Sequence, residues 1–409
     1  MAETATHTTG KGRTALTAPA PIKVAKTWLA EISPTDDFPL IDVSQAAPTA
    51  PPHPDMLAHM ADLVANNPVV HQYGAILGLD RLREALADHW SEDYGTAAVS
   101  HTNIAITSGC NQAFCAVIAA IASKGDEIII PSPWYFNHKM WLDMSEITTT
   151  ALVLDEALIP DVSVAAGMIT PKTRAICLVS PNNPTGVEYP RATIDAFYKL
   201  AKSHGIKLIL DETYKDFRSY DGAPHNLLQQ EDVFDSLIQL YSFSKAYRLT
   251  GHRVGAIIGH PDLLAEVEKF LDTVTICPTL LGQEAALFGL DQLQDWVNQE
   301  RIATLKKQTQ FRSLFAALEP QGWSLLGCGA SFAYVTYPYD MDALSFCKHL
   351  VHDQHILALP CDMFLPPDQQ GTERHLRIAF ANIDEKQMQI LIERLTNLPY
   401  RLAPIEKGA

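Results

Sequence analysis

Positive charge is scarce in this chain. Lysine and arginine number 31 against 47 aspartates and glutamates, a net charge of −16. That balance excludes nucleic acid and anionic membrane as main partners, since both need a basic surface. It leaves open the sign of charge inside a pocket. Cysteine is sparse and scattered: seven residues, at 110, 115, 177, 277, 328, 347 and 361, with no C-x-x-C pair. Neither a disulfide framework nor a zinc site is expected, and no metal is assigned. Long apolar runs are missing too. The longest, near Ala113–Ala122, is too short to cross a membrane. The opening M-A-E-T-A-T-H-T-T-G-K-G-R lacks the apolar segment of a signal peptide, so the expected compartment is a reducing cytosol. What remains is 409 residues, 47% hydrophobic and 19% charged. That suits a globular enzyme with room for two domains.

The chain alternates. Residues 1–20 read as a flexible arm, followed by a weak helical pattern at Ile22, Val24, Ala25 and Trp28. Prolines 48, 51, 52 and 54 predict an extended crossing segment. Leu79, Leu82, Leu86 and Trp90 mark one face of a helix. Short apolar strands are predicted at Ile104–Thr107, Glu127–Ile130, Arg174–Val179, Lys207–Leu210, Leu237–Tyr241 and Val254–Ile258, with helices between. Continuously apolar strands separated by helices indicate an α/β fold, a mostly parallel sheet covered on both faces. Beyond Ile276-Cys-Pro the pattern changes. A helical stretch over 283–318 leads to strands at 331–337, 355–359 and 376–380, with helices near 341–351 and 388–395, a smaller α+β unit. The expected division is 1–37 arm and lead-in helix, 38–290 large domain, 291–409 small domain.

In such sheets ligands sit off the carboxyl ends of the strands, so the loops there are the place to look. Leu240–Gly255 reads L-Y-S-F-S-K-A-Y-R-L-T-G-H-R-V-G. Hydroxyls at Ser242 and Ser244 with the fork of Arg253 suit a phosphate. Lys245 beside them suits an imine with an aldehyde, and the two together suggest pyridoxal phosphate. Taken alone, they are equally an ordinary lysine and arginine at strand ends. Ser108-Gly109-Cys110-Asn111 opens a helix, where free N–H groups face an anion or simply form a cap. Trp134-Tyr135-Phe136 offers a ring to stack on a flat cofactor. Ser180-Pro-Asn-Asn-Pro-Thr-Gly186 fixes Asn183 in a tight loop. Asp211-Glu-Thr-Tyr214 sets a carboxylate where it would keep a pyridine nitrogen protonated; a helix cap is the plain alternative.

The motifs S-G-C-N-Q, N-P-T-G, D-E-T-Y, S-F-S-K and R-V-G, in this order, resemble fold-type I pyridoxal phosphate enzymes, specifically the class I/II aminotransferase family, aspartate aminotransferase-like. The resemblance covers roughly residues 38–400. It implies that Lys245 forms the Schiff base and shuttles the proton, and that Asp211 pairs with the ring nitrogen. Asn183 and Tyr214 would bond the ring oxygen. Ser108, Gly109, Cys110, Ser242, Ser244 and Arg253 would form the phosphate cup. Tyr135 matches the stacking aromatic, with Trp134 its neighbouring candidate. Tyr73 matches the tyrosine lent to a partner subunit, which implies a homodimer with shared active sites. Arg377, in H-L-R-I-A-F, would grip the substrate carboxylate with Asn183 and the Ala46 backbone.

Three positions depart from the family pattern. Ala46 stands where a glycine is usual, and Cys110 where a hydroxyl is usual. Asp272 stands near the place of the arginine that aspartate-specific members carry. The expected activity is therefore transfer of an amino group from an α-amino acid to a 2-oxo acid, without strict aspartate specificity. A carbon–sulfur β-lyase on the same fold shares these motifs. A cofactor-binding regulator would need a DNA-binding domain, for which the short arm is insufficient.

Overall fold

The computed structural model describes residues 12–396 and 398–403. The first eleven residues of the expected arm lie outside the described residues. Arg13–Leu16 form a 3-10 turn, and Arg13 lies 3.9 Å from Glu146.

Strands in chain order are β1 (Ile41–Asp42), β2 (Ile104–Thr107), β3 (Glu127–Ser132), β4 (Thr148–Val153), β5 (Thr173–Val179), β6 (Lys207–Asp211), β7 (Leu237–Ser242) and β8 (Gly255–Ile258). They continue with β9 (Ser324–Gly329), β10 (Phe332–Thr336), β11 (Ile356–Leu357), β12 (Leu359–Pro360) and β13 (His375–Ala379). A seven-stranded sheet has the order β2-β8-β7-β6-β5-β3-β4. All its neighbours pair in parallel except β8, which runs antiparallel to both β2 and β7. A four-stranded sheet, β12-β13-β10-β9, is antiparallel, and β1 pairs with β11.

Alternate residues of the large sheet feed opposite cores. Ile176, Leu178, Leu208 and Leu210 pack on one face; Ala175, Cys177, Ile209 and Ile238 pack on the other. Every one is buried, at about 2 kcal/mol per fully buried Leu or Ile. The third core lies under the small sheet and takes in Ala25, Trp28, Ile41 and Val43 from the N-terminal region.

Several elements depart from the sequence expectation. Strand β4 escaped notice because its T-T-T-A-L-V run is half exposed at the sheet edge, so it carries little apolar signal. Strand β9, S-L-L-G-C-G, escaped because two glycines interrupt it. The long 283–318 helix is two helices, Leu280–Gln292 and Gln294–Phe315, broken at Leu293. Pro54 does not extend the crossing segment but opens the helix Pro54–Asn66, where a missing N–H costs nothing. No helix among the described residues is long and apolar enough to cross a membrane.

The reversed direction of β8 decides which of its ends meets the loops. Gly255 at the start of β8 pairs with Thr107 and Ser242, the last residues of β2 and β7. The residues just before β8 therefore join the same edge as the carboxyl ends of the parallel strands.

Candidate active site

At that edge opens a cavity of about 320 Å³. Its walls include Cys110, Tyr135, Asn183, Asp211, Tyr214, Ser242, Ser244, Lys245 and Arg253, nine of the residues that the sequence points to. Each stands at or just beyond a strand end. The fold thus converges loops that are far apart in sequence.

Asp211 closes β6 and is 3% exposed. Thr213 N–H donates to its Oδ1 at 3.0 Å, and His138 Nε2 lies 3.3 Å from Oδ2. Burial alone would raise the carboxyl. The His138 and Thr213 contacts outweigh it and hold Asp211 below its ordinary value. The Cys110 thiol also points here, its Sγ 3.6 Å from Asp211 Oδ2.

Lys245 sits in the short helix Phe243–Ala246. Its Nζ donates to the Ala46 carbonyl at 3.1 Å and lies 5.6 Å from the centre of the Tyr214 ring. Burial, with Arg253 and Arg377 nearby, brings this amine down to about 8. Tyr214 packs edge-on against Phe332, 5.2 Å between centroids.

Arg377 lies on β13, buried between Phe364 and Phe332, about 5 Å from each ring. Its Nη1 donates to Asn183 Oδ1 at 3.0 Å and its Nη2 to the Ser44 carbonyl. Its Nε is buried without a hydrogen-bond partner among the described residues. Asn183 itself is held by its neighbour as much as by prolines. The Asn182 side chain accepts from Thr185 N and Oγ1 and donates to Tyr189 OH, stitching the loop shut.

Anion-binding groups collect beside Lys245. Arg253 Nη1 lies 3.4 Å from Ser244 Oγ, and Ser242 Oγ caps Ser244 N. Cys110 and Asn111 open the helix Cys110–Ile121 and line the cavity. The first N–H groups of a helix lack intrahelical partners and favour anions. Gly109 has φ +88, and a Cβ there would come within 2.2 Å of Arg253 Nη2. The cradle is therefore shaped around a missing side chain. A phosphate cup, a carboxylate held as an anion and a lowered amine fit pyridoxal phosphate as a donor set.

Not every expected residue lines the cavity. Ser108 lies just behind, its N–H bonded to Gln112 Oε1 at 2.6 Å. Ala46 contributes a carbonyl, while Gln45 and Ala47 form the wall. Tyr73 is 80% exposed and outside this chain's cavity. Asp272 is exposed near the end of the helix Pro261–Val274, also outside it. Of the two aromatic candidates, Tyr135 lines the cavity; Trp134 is buried in the core beneath. Sequence reasoning missed Asn111, Asn137, Thr213 and Thr250 in the wall, and His138 behind Asp211. Asn137 and His138 directly follow the aromatic run, so their place at a strand end was the available signal.

The profile of the family described as aminotransferase class I and II matches residues 34–395. An aromatic aminotransferase of Arabidopsis thaliana is 27% identical over 80% of this chain and 82% of its own length. An aspartate aminotransferase of Thermotoga maritima is 27% identical over 77% and 80%. The transaminase BacF of Bacillus subtilis is 26% identical over 88% and 90%. Its substrate-bound structure aligns with a TM-score of 0.84 at 22% identity, covering 96% of this chain and 98% of that one. The Thermus thermophilus aspartate aminotransferase with maleate aligns at 0.83 and 22%, covering 94% and 98%. Those structural identities speak for the fold; the profile speaks for the family. With both in agreement, the chain belongs to the class I and II aminotransferases, pyridoxal phosphate enzymes that move an amino group from an α-amino acid to a 2-oxo acid.

Proposed function

We propose that this aminotransferase works as a cytoplasmic homodimer on amino donors with neutral side chains. Lys245 Nζ would hold the cofactor through its aldehyde and would carry the α-proton. Asp211 would pair with the ring nitrogen, Asn183 and Tyr214 would bond the ring oxygen, and Tyr135 would cover the ring. Ser108, Gly109, Cys110, Ser242, Ser244 and Arg253 hold the phosphate, with Tyr73 reaching the phosphate of a second copy. Arg377, Asn183 and the Ala46 backbone receive the substrate carboxylate. The bound cofactor supplies the electron sink for the α-carbon. The supporting observation is the pairing of opposites across one cavity: an amine lowered to about 8 on one side and a carboxylate kept anionic on the other. We also propose a domain boundary near residue 290, with the large domain over 38–290 and the small one over 291–409.

The neutral preference rests on the remaining wall. Gln45, Ala47, Asn111, Asn137 and Thr250 carry no charge. A distal carboxylate needs a second cation, which this set lacks. Seven free thiols suit a reducing compartment. An amino-donor screen with 2-oxoglutarate and pyruvate as acceptors tests the reading. Aromatic, thioether or amide donors are expected to exceed aspartate in kcat/KM, with ping-pong kinetics. Aspartate as the preferred donor would overturn the substrate class. Pyruvate and ammonia from a cysteine conjugate without any acceptor would overturn transamination in favour of the lyase.

A further inference from the structure

Behind Asp211 three elements line up side chains of one buried relay. The helix Phe136–Met144 contributes His138, whose side chain is 4% exposed. Its Nε2 lies 3.3 Å from Asp211 Oδ2 on β6. Its Nδ1 lies 3.8 Å from Cys177 Sγ on the neighbouring strand β5. Register places the thiol correctly: Cys177 pairs with Ile209 and Val179 with Asp211, so the thiol is two residues short of the strand end on the same sheet face as Ile209. Phe114 stacks on the imidazole at 3.9 Å and 19°, and Tyr135 meets it edge-on at 5.0 Å. The ring plane is therefore fixed, and what remains free is where its protons sit.

We propose that Cys177 is a positioning residue that holds His138 in the neutral tautomer with the proton on Nε2, so that Asp211 keeps its full negative charge for the cofactor ring nitrogen. The inference rests on the cofactor assignment given above. A neutral imidazole has one N–H and one bare nitrogen. A bare nitrogen facing a carboxylate pairs two acceptors, so Nε2 carries the proton. Nδ1 is then the acceptor, and Cys177 is the one donor within reach of it among the described residues. The thiol is in the form needed to donate. Burial, and then the charge on Asp211, hold it protonated well above its ordinary value. A doubly protonated ring would work against the site. An imidazolium against Asp211 would draw the carboxylate's charge to itself and away from the ring nitrogen. The S–H aimed at Nδ1 occupies the lone pair that a second proton would take.

The test separates this role from packing. Selective ¹⁵N-histidine labelling of the holoenzyme reports the protonation of each His138 nitrogen. Wild type is expected to show protonated Nε2 and bare Nδ1. Cys177→Val fills similar volume without a donor and is expected to shift His138 toward the doubly protonated ring. It is also expected to release pyridoxal phosphate about fivefold more readily, the scale of one lost neutral hydrogen bond. In a double-mutant cycle with His138→Ala, that fivefold effect is expected to vanish, because the thiol acts only through the ring. A protonated Nδ1 in wild type, an unchanged spectrum in Cys177→Val, or a cofactor effect that persists without His138 would each overturn the proposal. Wild type that fails to retain pyridoxal phosphate at all would instead sink the cofactor assignment, which the apoprotein spectrum distinguishes.

Discussion

Among the described residues, two buried polar clusters are each built on a lysine just past a strand end. In the cavity, Lys245 stands near Arg253 and Arg377 with a single carbonyl partner. Beneath the sheet edge, Lys215 is 1% exposed and clamped between Asp93 at 2.5 Å and Asp216 at 2.8 Å. Its amine also lies over the Trp90 and Tyr241 rings, at 4.6 and 5.3 Å. Burial lowers both amines. At Lys215, Asp216 and Asp93 reverse the shift and raise it; at Lys245 the two arginines deepen it. The adjacent carboxylates divide in the same way. Asp211 is held down by His138 and Thr213 contacts. Burial pushes Glu212 up to about 7, despite bonds from Tyr94 and Gln239. Burial alone therefore does not mark a reactive group. The partners decide whether it is locked or left ready.

Substitutions can break this contrast. Lys245→Ala should lower kcat by about 10⁴-fold or more, the upper range for a lost acid–base group, in a steady-state assay. The cofactor-free variant should melt no lower than wild type at pH 7, since a disfavoured charge has been removed. Equal melting loss and activity loss would erase the distinction between the clusters. Lys215→Met should do the reverse. Leaving Asp93 and Asp216 buried without their cation should cost about 3–5 kcal/mol in denaturant unfolding, with kcat of the folded fraction little changed.

The carboxylates provide a finer test. Asp211→Asn should reduce kcat by about 10²–10³-fold, the scale of one lost electrostatic contact to developing charge. Glu212→Gln should leave kcat nearly intact and change the pH dependence of stability. The folded carboxyl titrates about 7 and the free one near 4.5, so the folded state holds the extra proton between them. Wild-type stability contributed by Glu212 is complete below 4.5 and is lost as pH rises toward 7, at no more than about 1.4 kcal/mol per unit. The Gln variant should therefore gain on wild type across that window and run parallel above it. Thermal scans across and beyond that window would show it, and a constant offset would refute the placement of Glu212's titration.

The cavity cluster was legible in the sequence and the core cluster was not. Lys245, Asn183 and Arg253 each sit in a stretch whose glycine, proline or serine content announces a strand end, and Asp211 closes an apolar run. Lys215 follows Tyr214 directly, and nothing local separates it from a surface lysine. Its partner Asp93 comes from a helix 122 residues away. His138 was missed for a related reason. Its meaning lies in Asp211 and Cys177 on two strands remote from its helix, and parallel pairing leaves no trace in local spacing. The same holds for β4, whose strand identity comes from pairing with β3 rather than from its threonines. Periodicity shows which face is buried. It does not show which distant groups meet there.

The crossing segment carries a last consequence. The carbonyls of Ser44 and Ala46 accept from Arg377 and from Lys245. A substrate that takes those donors trades places with an internal surrogate, so recognition is a displacement rather than an addition. An amide or ester carbonyl offers the guanidinium no more than the surrogate already does. A carboxylate offers charge and two oxygens in the geometry the fork prefers. If Arg377 receives the substrate carboxylate as proposed, the segment sets the standard each visitor must beat, and free amino acids are expected to displace it more readily than peptides or esters.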